Sequence, residues 1–196
     1  MSTVPKKLLT PQEYLARERA AEFRSEYYAG EMFAMAGASW EHNLVKDNLA
    51  REAGQQLKDG PCTVVTSDLR VKIDATGLYT YPDMVIVCDK PRFEDKVFDT
   101  LLNPRVVIEI LSDSTEKYDR GIKFSHYRKL ASVEAYVLVA QDRPLLERYV
   151  RTGKKWVLTE FNDLSQVFDF EVIPVSIPLA EIYRGVEFPE ISGTAP

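Results

Sequence analysis

Asp83, Glu109 and Lys123 are the residues whose types and placement could do chemistry. Glu109 lies inside "VVIEIL" (106–111), a near-continuous apolar run of the kind that forms a strand covered on both faces. On the pleat it shares a face with Val107 and Leu111, so it reaches water only if that face opens into a cleft. An isolated buried carboxylate is costly unless a cation, a donor network or a proton offsets it. Asp83 follows Pro82 in "YPDMVIV" (81–87). The missing N–H of proline confines that position to a strand start or an edge. Lys123 sits in "DRGIKFSHY" (119–127). At about 100° per residue it projects from a partly apolar helical arc with Tyr127, Leu130 and Phe124, beside Arg120.

Two carboxylates at neighbouring strand positions can hold a hard divalent cation, Mg²⁺ or Mn²⁺, through oxygen ligands. The backbone carbonyl of Ile110 is the natural third protein ligand, and the cation is what makes Glu109 tolerable. A lysine on the following helix can orient or deprotonate water, or stabilise charge developing on a phosphate. Metal plus lysine is a hydrolytic phosphodiesterase arrangement. Plainer readings stand beside this one. Asp83 and Glu109 could pair with arginines such as Arg70 or Arg105, making the protein a structural or interaction module. Lys123 could snorkel, with Asp119 as an ordinary surface partner.

The chemistry must be positioned by a chain of 196 residues with 45% hydrophobic and 28% charged content, the proportions of one soluble globular domain over 1–196. No apolar run is long enough to span a membrane, and the start "MSTVPKKLLTPQ" lacks the apolar stretch of a secretory signal. Cys62 and Cys88 have no metal-type spacing, which favours a reducing, cytoplasmic setting over a disulfide scaffold. A net charge of −5 gives no electrostatic pull toward phosphate backbones and counts against purely electrostatic DNA binding, so a nucleic-acid role relies on a local basic patch or on bound metal.

Thr10 and Glu13 form a capping box with Pro11 at the first helical position, predicting a helix from Pro11 to Phe23. "SEYYAGEMFAMAG" (25–37) reads as a hairpin turning at Ala29-Gly30. A second helix spans Trp40 to Lys58, capped by Ser39 and stopped by Gly60. Strands follow at Thr63–Thr66, Leu69–Asp74, Tyr81–Val87 and Arg105–Leu111, then a third helix from Thr115 to Leu130. A meander of three strands (134–140, 145–150 and 155–161) and a helical turn at Leu179–Tyr183 complete an α/β, α+β-mixed arrangement, one mixed sheet flanked by helices.

These segments together resemble the PD-(D/E)XK nuclease superfamily, and within it a restriction-endonuclease-like family multiplied in cyanobacterial genomes. The resemblance covers nearly the whole chain: "SEYYAGE" (25–31), His42-Asn43, "SDLRV" (67–71), "YPDMVIV", "VVIEILSDST" (106–115), "DRGIKFSHY", "EAYVLV" (134–139) and "LAEIY" (179–183). It implies a mixed sheet between helices, magnesium-dependent cleavage of DNA, and Asp83 and Glu109 as metal ligands. The superfamily usually places its lysine two residues after the acid, where this chain has Leu111, so the resemblance assigns that role to Lys123. Glu26, His42, Ser112 and Tyr127 also match recurrent family positions. Glu26 is an additional metal ligand or a holder of lysine, His42 a solvated first-turn residue or a site residue, and Tyr127 core or support. His126 reads as surface. The expected function is a Mg²⁺-dependent DNA endonuclease, the alternative a nuclease-fold module that binds nucleic acid or protein without cleaving. Double-strand cleavage by a domain with one site implies a homodimer. A raised pKa is expected for metal-free Glu109. Lys123→Ala is expected to remove catalysis with folding nearly intact.

Overall fold

Pro82 is where the chain changes sheets. In the computed structural model, which describes residues 8–66 and 68–189, the strand expected over Tyr81–Val87 starts only at Met84, and a further strand, not expected from sequence, lies just before it. β5 (Leu78–Thr80) ends before the proline and β6 (Met84–Cys88) begins two residues after it. A residue without an N–H cannot continue a ladder, and the two strands belong to different sheets. The single mixed sheet expected from sequence is therefore two larger sheets and one small ribbon. The first is five-stranded, in the order β2 (Glu31–Ala34), β1 (Ser25–Tyr28), β5, β4 (Arg70–Ile73), β7 (Thr100–Leu101). The second is six-stranded, in the order β11 (Lys155–Phe161), β10 (Leu146–Thr152), β9 (Ala135–Ala140), β8 (Val106–Leu111), β6, β3 (Cys62–Thr66). β12 (Val167–Asp169) and β13 (Ser176–Pro178) make the ribbon.

The central strand β8 runs parallel to β9 and antiparallel to β6. Val106, Ile108 and Ile110 point into a core built with Val45, Leu49 and Ala53 of α2 (Trp40–Leu57). Val107 and Leu111 point into the opposite core, with Phe124, Tyr127 and Tyr136. Glu109 faces that second side, as the pleat requires.

α1 (Pro11–Ala20) starts with the expected capping box but stops three residues early. The Glu18 carboxylate accepts the Ser25 N–H at 2.9 Å, which fixes the handover into β1. The β1–β2 hairpin turns through Ala29 and Gly30, both at positive φ (50° and 87°), the signature of a two-residue turn matched to strand twist. Gly30 is obligatory there for a second reason: a Cβ would lie 2.7 Å from Leu8 Cβ.

The third helix is not one α-helix. Glu116–Tyr118 (α3) leads into a π-helical turn at Asp119–Lys123, then Phe124–Tyr127 (α4). The wider turn alters the rotation per residue, and such turns occur frequently at functional sites. α5 (Leu179–Ile182) matches the short terminal turn.

Cys62 and Cys88 form a disulfide between paired β3 and β6 positions, correcting the expectation of a chain without such bonds. Register, invisible in a separation of 26 residues, brought them together. Among the described residues no helix is long and apolar enough to cross a membrane. The leader reading of the first seven residues lies outside the described residues.

Candidate active site

The two larger sheets and the π-helical turn enclose a cleft of about 900 Å³. Asp83, at the sheet change, Glu109 on β8 and Lys123 on the π turn all line it. β6 and β8 pair Met84 with Ile108, so the next step of that register sets Asp83 opposite Glu109. Asp83 Oδ2 accepts the Ile110 N–H at 2.8 Å, and Oδ1 lies 2.9 Å from His42 Nε2. His42 occupies the first turn of α2, whose cap Ser39 accepts the His42 N–H at 3.0 Å. It is buried, so the solvated-residue option does not hold; burial gives its ring one partner, Asp83.

Lys123 is 5% exposed, and Glu109 2%. The ammonium lies 3.0 Å from Glu109 Oε1 and 3.5 Å from both Glu26 Oε1 and Asp119 Oδ1. Tyr127 donates its hydroxyl to Glu109 at 3.2 Å. Glu26 is held by Thr80, across the hairpin–β5 contact, and by the Tyr118 hydroxyl at 3.0 Å. Glu26 is thus a holder of the lysine. Lys123 is neither snorkelling nor in a surface pair, because the π turn directs Asp119 and Lys123 together into the interior.

The arginine alternative fails on geometry. Arg70 engages Asp99, Thr100 and Tyr81, and Arg105 engages Glu134. Ser112 bridges to Ser114 and Thr115 at the end of β8 and lines the cleft. His126, read as surface, is 6% exposed. Its ring stands edge-on to Tyr28 at 4.9 Å, because the helical segment folds against the hairpin. Thr80 and Tyr118 carry no sequence signal of their own. Asp119, four residues before Lys123, is the partner that spacing does suggest, though as a surface pair.

Burial drives the Glu109 carboxyl well above the ordinary range; Lys123 opposes the shift while Asp119 and Asp83 add to it. The same burial would lower the Lys123 ammonium, but Glu109, Glu26, Tyr127 and Asp119 outweigh it and hold the group well above its usual value. Asp83 goes the other way. Burial raises it, yet His42, the Ile110 N–H and Lys123 bring it below the ordinary value. Asp119 is raised, by burial first. Such opposed shifts in one cleft mark functional groups more often than surface pairs do.

Five carboxylates (Glu26, Asp83, Glu109, Asp113 and Asp119) and a single ammonium line the cleft. The donor set is oxygen, which suits a hard divalent cation. Among the described residues no three His, Cys, Asp or Glu side chains gather as a ready ligand cluster, so a cation here relies on two acids plus backbone and water.

The mixed sheets and their flanking helices define a restriction-endonuclease-like α/β protein. A crystal structure from Anabaena variabilis, described as "a putative nuclease", superposes with a TM-score of 0.70 at 16% identity, covering 89% of this chain and 97% of that one. The chain belongs to the Uma2 family, described as "Putative restriction endonuclease", whose profile matches residues 11–180. Two Synechocystis relatives, "Uncharacterized protein sll1609" and "Uncharacterized protein slr1290", are each 33% identical. The first alignment spans 86% of this chain and 96% of the relative, the second 92% and 94%.

Proposed function

We propose that this protein is a Mg²⁺-dependent endonuclease that hydrolyses phosphodiester bonds in DNA. The observation that carries the reading is the convergence of Asp83, Glu109 and Lys123 in one cleft with a surplus of carboxylates. Family membership and the shared fold of the Anabaena variabilis protein described as "a putative nuclease" support it. Asp83, Glu109 and the Ile110 carbonyl hold the cation, Mg²⁺ or Mn²⁺. When bound, that cation supplies Lewis-acid polarisation of the phosphate and a more acidic water. His42 orients Asp83. Lys123, held above its usual pKa by the surrounding carboxylates, orients or activates the attacking water or offsets charge developing on the phosphate. Glu26, Asp119 and Tyr118 keep the ammonium in place. Nicking needs one such site; a double-strand cut calls for a homodimer.

One observation favours the non-cleaving module instead. Without metal, Asp83 already has partners on both oxygens and Glu109 has the ammonium, so the cleft is not electrostatically open. Cleavage of supercoiled plasmid and of single-stranded DNA separates the two. The endonuclease reading expects Mg²⁺- or Mn²⁺-dependent nicking that falls by about 10²–10³ in Glu109→Gln. A wild type that binds Mn²⁺ yet cuts neither DNA nor RNA establishes the module.

A further inference from the structure

The rim of the cleft is aromatic, and the hairpin explains why. Glu26 and Phe33 are directly opposed across β1 and β2, so their side chains share a face, and Tyr28 shares it two residues further on. The other face is committed: Tyr27 packs on Tyr14 and Tyr79, with Met32 beside them. On the cleft face, Glu26 descends to Lys123 while Tyr28 and Phe33 remain at the mouth. Phe33 is 50% exposed, and across the cleft Ile122 of the π turn is 59% exposed. Met35 completes the lining on the hairpin side. The Tyr28 ring is not loose, because His126 braces it edge-on.

Charge argues against an intact duplex as the occupant. The only Lys or Arg among the described residues lining the cleft is the buried Lys123. Nearby arginines are already paired: Arg24 with Asp68, Arg120 with Glu116 and Glu147, Arg143 with Asp142 and Glu116. Two phosphate backbones find no cationic track here, whereas duplex affinity rests mainly on one. A single strand carries half the linear phosphate charge of a duplex, and each unpaired base can gain about 1–3 kcal/mol by stacking on an aromatic face.

We infer that Tyr28 and Phe33, with Met35 and Ile122, form a stacking platform for unpaired bases, making single-stranded nucleic acid the substrate class. This rests on the endonuclease reading: the platform and the carboxylates line the same cleft, so a base stacked at the mouth carries its strand toward them.

The test is fluorescence anisotropy with a short labelled thymidine oligonucleotide and a duplex of equal length, in Ca²⁺. The single strand binds more tightly than the duplex. Phe33→Ala weakens it about tenfold, the effect of removing one stacking partner, while duplex binding is unchanged and Phe33→Tyr retains wild-type affinity. Equal binding of both forms, binding of neither, or indifference to Phe33→Ala overturns the inference. So does a wild-type dimer that Phe33→Ala dissociates, since the rim would then be covered by a second copy. Phe33-dependent binding of the single strand without cleavage in Mg²⁺ sinks the endonuclease reading and leaves the platform standing.

Discussion

Replacing Lys123 by methionine keeps most of its volume and removes its charge. The ammonium lies within 3.5 Å of three carboxylates and is almost wholly buried. Removing one partner of a buried ion pair costs about 3–5 kcal/mol, because a charge is left without compensation. The sequence reading expects folding nearly intact in Lys123→Ala; the buried ion pair predicts this larger loss instead. Glu109 limits the loss by taking up a proton, at about 1.4 kcal/mol for each unit of pH above its pKa. Burial already raises that pKa, and loss of the opposing ammonium raises it further. A carboxyl raised in the folded state contributes stability in acid and loses it as pH rises through the folded value. The deficit of Lys123→Met therefore stays small near the unfolded Glu value of about 4.3 and grows toward alkaline pH. Urea denaturation followed by tryptophan fluorescence at acid and alkaline pH measures it. Adding Glu109→Gln should recover about half or more of the loss, as coupling in a double-mutant cycle. Mn²⁺ should stabilise Lys123→Met more than wild type, because the cation replaces the missing charge. A Lys123→Met protein with a wild-type midpoint at alkaline pH would refute the reasoning, as would a double variant no more stable than the single one.

Mn²⁺ affinity should rise with pH as Glu109 gives up its proton, and Glu109→Gln should both weaken binding and flatten that dependence; calorimetry at several pH values checks it. Asp83→Asn should weaken metal binding with little loss of fold, so that excess Mn²⁺ partly restores nicking, whereas no Mn²⁺ concentration restores nicking in Lys123→Met. Gly30→Ala forces a side chain into positive φ and against Leu8, and should cost about 1–2 kcal/mol in a denaturant titration; an unchanged midpoint would show that the hairpin tip shifts freely. Reduction of Cys62–Cys88 should lower stability by about 3 kcal/mol, read from the urea midpoint with and without reductant, while Mn²⁺ affinity stays the same.

The sequence by itself determined the local pieces. The Thr10–Glu13 box, the Ser39 cap, the Ala29-Gly30 turn and the near-continuous apolar run of β8 are set by neighbours a few residues away, and each appears as expected. It also isolated Glu109, because a carboxylate within a two-sided apolar strand contradicts its own surroundings. What it could not contain is anything set by register or by packing between distant segments. The pairing of Cys62 with Cys88 depends on how β3 meets β6. The division of the sheet at Pro82 depends on where each half finds a partner strand. Lys123 acquires three carboxylates only because a π turn, a hairpin and β8 meet. Helical periodicity assumes an even α-helical rotation, so it placed Lys123 on an arc but not in the interior. Electrostatics inside the cleft are likewise tertiary. Sequence supplied the charges; burial raises Glu109, while the partners that packing sets beside Asp83 and Lys123 outweigh burial, lowering the first and raising the second.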